Sequence, residues 1–289
     1  MAIERISDVQ AAYDAGRFWT GIMRRSGPAL AANIWADFSY AAGNPVANYY
    51  AAAPLTSAKL VSTDGIDTGP APASGLTKYV HKALIMPPSG TNIGITEWMV
   101  IDICLFYPFI DGDGAEQFTI PSAVLDRYGG EGCRVMVVSQ GTGVGISDVI
   151  MTYTNSKGVA GRVCTNTLNF AATPGSLASC TPALTAYAYP CGPFLTLQPG
   201  DTGIRSIEAV NVLSSAGGIA AFVIVKPLVR LGGFEALVSN IAAPIEIDTL
   251  IDRGQLEKIE LGAYLGVLGR GTTAGTPAIT SAEITTIWG

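Results

Sequence analysis

Charge is scarce in this sequence. Asp, Glu, Lys and Arg make up 14% of its 289 residues, against roughly 25% in an ordinary soluble domain. There is one histidine, His81, which excludes a multi-histidine metal centre and leaves a single imidazole for Ser/His/Asp or Cys/His catalysis. No acidic residue stands near it in sequence, so His81 reads as a structural side chain within a strand-like run. Basic clusters are missing too. Nothing exceeds the pair Arg24–Arg25, and the net charge is −6. A phosphate backbone would meet no basic face, and direct nucleic-acid contact is not expected. Long apolar runs are also absent: Met99–Ile110 is broken by Asp102 and Pro108, and Ile219–Val225 has only strand length, so no membrane span is expected. Met1–Arg5 carries Glu4 with no apolar stretch behind it, so no signal peptide is expected. The five cysteines show no metal spacing. Cys180 and Cys191 bracket a Pro/Tyr loop and could pair if oxidised, but reduced thiols in a cytoplasmic setting are the default.

Few spellings point to chemistry. Asp111, Asp113 and Glu116 alternate with glycine and are weak candidate ligands for a hard cation such as calcium. The further oxygens and distal glutamate of a twelve-residue calcium loop are missing, so a Gly/Asp turn is the simpler reading. Gly141-Thr142-Gly143-Val144-Gly145 imitates a phosphate cradle, yet β-prone sequence follows it where a helix would be required. No catalytic residue, metal or cofactor is assigned.

What the sequence has is apolar residues, 48% of the chain, with a mean hydropathy of +0.35. With no membrane span to absorb it, that surface is expected to be covered by other subunits. Short β-prone runs separated by Gly, Pro, Asn and Asp predict strands over Tyr79–Met86, Glu97–Tyr107, Arg134–Ser139, Val149–Thr154, Gly161–Phe170, Phe194–Leu197, Ile204–Leu213 and Ile219–Leu228. In one of them Val149, Met151 and Tyr153 fall on one side and Ile150, Thr152 and Thr154 on the other. A helical period is nearly absent between Pro54 and Leu231. The fold class expected is mainly β: an antiparallel β-sandwich or jelly-roll-like core with a short N-terminal helix and extended terminal arms.

Three regions follow. Residues 1–55 form a helix and arm, 56–231 the sandwich core, and 232–289 a C-terminal extension packed on the core or on a neighbour. Ser7-Asp8-Val9-Gln10 spells a capping box, with Ser7 as the cap and Gln10 reaching back. Phe234–Ile241 suggests a short helix, Ile245–Leu250 a short extended piece, and Ile279–Trp288 apolar alternation. The interface candidates are Ile6, Val9, Tyr13, Phe18 and Trp19 at one end and Ile287 and Trp288 at the other. Removing Met1–Ser26 is expected to leave the core folded and weaken assembly.

One pair of stretches is more specific. Met151–Arg162 reads Met-Thr-Tyr-Thr-Asn-Ser-Lys-Gly-Val-Ala-Gly-Arg, and Phe194–Glu208 carries Leu-Gln-Pro-Gly-Asp-Thr-Gly-Ile-Arg-Ser. Together they resemble virion structural proteins of tailed bacteriophages, over the middle third to half of the chain. The shared letters are turn and strand letters and fix no catalytic residue. The resemblance implies a non-enzymatic particle component made in the host cytoplasm. A capsid decoration or cement protein is preferred, with a tail, collar or fibre-attachment protein as the alternative. Its partners would be copies of itself, in an oligomer such as a trimer, and virion proteins such as the major capsid protein. Two other classes stay open. A depolymerase would draw on carboxylates such as Asp102, Asp111, Asp113 and Glu116. A carbohydrate-binding module would use Tyr187 and Tyr189.

Overall fold

The computed structural model describes residues 3–27, 33–60, 62–86, 95–123, 125–143, 145–170, 173–181, 192–232, 244–271 and 279–289. The chain opens with helix α1 (Ile6–Asp14) and strands β1 (Phe18–Ser26), β2 (Trp35–Asp37), β3 (Gly43–Asn44), β4 (Lys78–Met86) and β5 (Ile95–Asp111). It continues through β6 (Gln117–Phe118), β7 (Arg134–Ser139), β8 (Ile146–Asn155), β9 (Arg162–Asn169), β10 (Ser179–Thr181) and β11 (Ile204–Val212). It closes with β12 (Ile219–Gly232), β13 (Ile245–Asp248), α2 (Thr249–Arg253), β14 (Glu257–Ile259), β15 (Leu265–Gly271) and β16 (Ile279–Trp288). Every pairing between these strands is antiparallel. The protein is therefore mainly β with a sandwich-like core, as its strand periodicity predicts.

Three sheets share one spine. The central sheet runs β2-β15-β5-β12-β7, and its long strands β5 and β12 pair along almost their whole length. One half of this ribbon offers Leu105, Tyr107, Phe222 and Ile224 to the sheet β10-β9-β8-β11-β6, which returns Val149, Met151, Tyr153 and Ile207. The other half offers Trp98, Val100 and Val229 to the sheet β13-β4-β16-β1-β3, which returns Met23, Val80, Ile85 and Ile284. The reverse face of the ribbon, with Ile101, Ile103, Val223 and Val225, is roofed by Trp35, Tyr50 and Leu177. Each fully buried aliphatic or aromatic side chain contributes roughly 1.5–3 kcal/mol. A strand covered on both faces accordingly carries an almost continuous apolar run, as β12 does from Ala220 to Val225.

The C-terminal extension packs on the core, with β16 between β4 and β1, whereas the N-terminal segment differs from the expected arm. β1 pairs with β16 over its full length, Phe18 with Ile287 through Ser26 with Ile279, and buries Met23 and Arg25. β15 is inserted between β2 and β5. β1, β15 and β16 are thus sheet strands, and deleting Met1–Ser26 would strip β1 from its sheet. The buried Arg25 donates through Nη1 to the carbonyls of Ser39 and Ala41 and through Nη2 to that of Val46. The N-cap of α1 is Arg5, not Ser7. The Asp8 carboxylate reaches back to accept the amides of Glu4 and Arg5, each at 3.0 Å. A carboxylate near the positive end of the helix outcompetes a Gln amide for those donors. Ile245–Leu250 resolves into β13 and the start of α2, capped by Asp248. Phe194–Leu197 forms no named strand, although the Leu195 amide donates to Val135. The helix expected at Phe234–Ile241 lies outside the described residues.

Candidate functional site

The interface candidates separate into two groups. Val9, Ile287 and Trp288 are buried, and Val9 and Ile287 pack with Ile3 and Ala12 into a small core beneath α1. Val9 and Ile287 hold the helix to its own sheet, and all three of these side chains are covered within the chain itself. Tyr13 is partly buried against the same core and stacks on Phe18, ring centroids 4.8 Å apart. Ile6, Phe18 and Trp19 remain exposed, as does Ile22. β1 meets β3 only at Arg24 and Arg25. Along Phe18–Met23 its outer edge therefore has no strand partner among the described residues, and such an edge is a ready template for pairing with another chain.

A wider surface was not legible in the sequence. β8 turns Ile150, Thr152 and Thr154 away from the core, and pairing register lines up outward rows across the sheet. Val163, Thr152, Ala209 and Phe118 form one row; Thr165, Ile150 and Asn211 form the next. Neither row contains a charge. The two carboxylates beside them are tied down: Thr167 donates to Asp148 at 2.5 Å and Thr154 to Glu208 at 2.6 Å. Phe118 is 69% exposed, Val163 46% and Ile146 55%. A sheet face of β-branched and aromatic residues, with its flanking carboxylates engaged by threonine hydroxyls, is chemically suited to contact with another protein.

The edge of this face is built by the two stretches that carry the bacteriophage resemblance. Asp201, in the second stretch, accepts from Tyr153 Oη (2.6 Å), Asn155 Nδ2 (2.7 Å) and Arg162 Nε (2.9 Å), all in the first. Its side chain is only 4% exposed. Burial alone would raise its pKa, but the three donors outweigh that and bring it down to about 2. Asn155 Oδ1 also accepts the amides of Lys157 and Val159, closing the hairpin, and Gly158 takes the positive φ that the turn requires. At Gly203 a Cβ would lie 2.0 Å from the Gly130 carbonyl oxygen. The shared letters thus encode one polar clamp.

The chemistry-bearing candidates are dispersed. The structure does not gather Asp111, Asp113 and Glu116 into a ligand set, and no group of three or more His, Cys, Asp or Glu suited to a metal forms among the described residues. Asp111 accepts the Asp113 amide, while Asp113 accepts from the Ser215 hydroxyl and the Gly217 amide. Those bonds, the serine first, lower the Asp113 pKa. Asp102 is fully buried: Arg127 holds both its oxygens at 2.9 Å, and Tyr128 and the Tyr264 amide supply further donors. The amides of Gly141 and Gly145 donate to Ile219 and Ala216, so this loop does not present them to a phosphate. His81 is buried between Tyr13 Oη, 2.9 Å from Nδ1, and Asp248 Oδ2, 3.1 Å from Nε2. Burial lowers the His81 pKa despite Asp248. Burial and then the Asp248 charge raise that of Tyr13, the opposite of what activates a nucleophile. Cys104 and Cys133 are buried, and burial pushes the Cys104 thiol well up. Cys180, Cys191, Tyr187 and Tyr189 lie outside the residues whose side chains are described. No helix among the described residues is long and apolar enough to cross a membrane.

Comparison with family models, curated proteins and solved structures returns no match.

Proposed function

We propose that this chain is a non-enzymatic structural subunit of a tailed-bacteriophage particle, a decoration or cement protein that acts by contact with copies of itself and with the shell. The observation that carries the reading is the charge-free double row on the sheet β9-β8-β11-β6. A broad, stiff, charge-poor face backed by a packed core suits a block that lies flat on a neighbour. The open Phe18–Met23 edge of β1 offers a second contact on a different sheet, which supports a subunit that bridges neighbours. The clamp formed by the two resembling stretches supports it further, since its letters shape the margin of that face and leave no reactive group free.

The test is to image particles carrying this subunit with a C-terminal tag. Decoration predicts label in a regular lattice over the capsid. Label confined to the tail or collar would move the assignment to the tail alternative, and particles without label would refute a virion role.

A further inference from the structure

At one end of the central sheet the apolar roof stops and charge takes its place. Register brings Trp35 opposite Arg270, Arg270 opposite Glu97, and Arg230 opposite Met99, so four neighbouring strands contribute to one spot. Together with Phe194 these residues line a cavity of about 330 Å³, within the range of small-ligand sites. Arg230 Nη2 donates to Glu97 Oε1 at 2.8 Å. Arg270 Nε lies 3.0 Å from Glu97 Oε2 but is not aligned to donate, and this buried nitrogen has no hydrogen-bond partner. Two guanidinium groups thus face one carboxylate, which leaves one positive charge in excess. Each guanidinium has five donors in a planar fork, and Glu97 engages few of them.

We propose that this cavity binds the carboxylate of a small ligand with a ring-shaped body. The carboxylate takes up the excess charge on the guanidinium edges that Glu97 leaves unused, in the fork geometry that arginine offers to carboxylates. Trp35, Met99 and Phe194 supply apolar walls for the ring. The single excess charge matches a monoanion and disfavours both a polyanion and a cation. A uronate sugar and an aromatic acid share this chemistry. The inference is independent of the particle assignment, because it rests on a site in one subunit.

The test is titration of the full chain, followed by NMR or calorimetry, with sodium glucuronate and sodium benzoate, and with glucose and benzyl alcohol as uncharged counterparts. At least one carboxylate should bind, about ten-fold or more tighter than its counterpart. Glucuronate points to a sugar ligand, benzoate to an aromatic acid. Arg270→Gln should weaken binding by at least about ten-fold, and Arg230→Gln, at the more exposed side of the cavity, provides a second variant that leaves the partly buried Arg270 side chain in place. The proposal fails if neither carboxylate binds at about 10 mM, if the uncharged counterparts bind as well, or if binding is unchanged in the folded variants.

Discussion

Two aspartates, Asp102 and Asp201, are each held by an arginine and a tyrosine hydroxyl, yet their surroundings give them opposite acidities. Asp102 lies inside the molecule between the central sheet and the Arg127–Tyr128 turn, and burial raises its pKa despite Arg127. Asp201 lies at the margin of a sheet, and its three donors prevail over burial to bring it down to about 2. The same partners therefore do different work. The Asp102 pair joins distant segments, reaching the backbone of Gly262, Ile103 and Tyr264. The Asp201 clamp shapes one hairpin and the margin of the face next to it. The interior centre concerns folding, and the marginal one the shape of an exposed sheet face.

The largest effect that would sharpen this contrast is Asp102→Asn. Breaking a buried pair leaves the Arg127 guanidinium uncompensated, with an expected loss of about 3–5 kcal/mol in denaturant unfolding. Gly203→Ala should cost about 1–3 kcal/mol, since the new methyl forces the backbone of the turn at Gly130 aside. Asp201→Asn should cost on the order of 1–2 kcal/mol at neutral pH and remove an acid-side slope. The folded pKa near 2 lies below the unfolded value of about 3.9. The contribution is therefore complete above about pH 4 and lost as pH falls towards 2. The raised Asp102 gives the opposite sign, a contribution present at low pH that diminishes as pH rises through its folded pKa. Thermal melts between pH 2 and 5 on the two Asn variants check both signs; matching slopes would break the comparison. The smallest stability effect belongs to Val163→Asp on the outward row, within about 0.5 kcal/mol of the parent.

Much of this fold can be read from the sequence. β7 and β16 match their predicted bounds, and β8 shows the predicted alternation, because a half-buried strand writes its period into side-chain polarity. β1 and β15 escaped for physical reasons. β15 carries Gly266 and Gly269, which look like loop letters, but a Cβ there would come within 2.5 Å of Ser39 Oγ and 2.8 Å of Phe38. The glycines mark close packing inside a sheet. β1 lay within the segment read as an arm, because its partner β16 is more than 250 residues away in sequence. The partners of His81, at positions 13 and 248, and the meeting of Glu97 with Arg230 and Arg270 depend on register between strands far apart in sequence, and no local signal records them. The clamp was half visible: its letters stood out as a motif, but their contacts did not.

Sedimentation velocity of the parent chain beside Val163→Asp tests the central claim most directly. Assembly through the charge-free face predicts a parent that sediments as an oligomer at micromolar concentration and a variant that sediments as a folded monomer with an unchanged melting temperature. A parent that stays a single subunit at every concentration and does not attach to particles lacking it, or a Val163→Asp chain that assembles as the parent does, would contradict it.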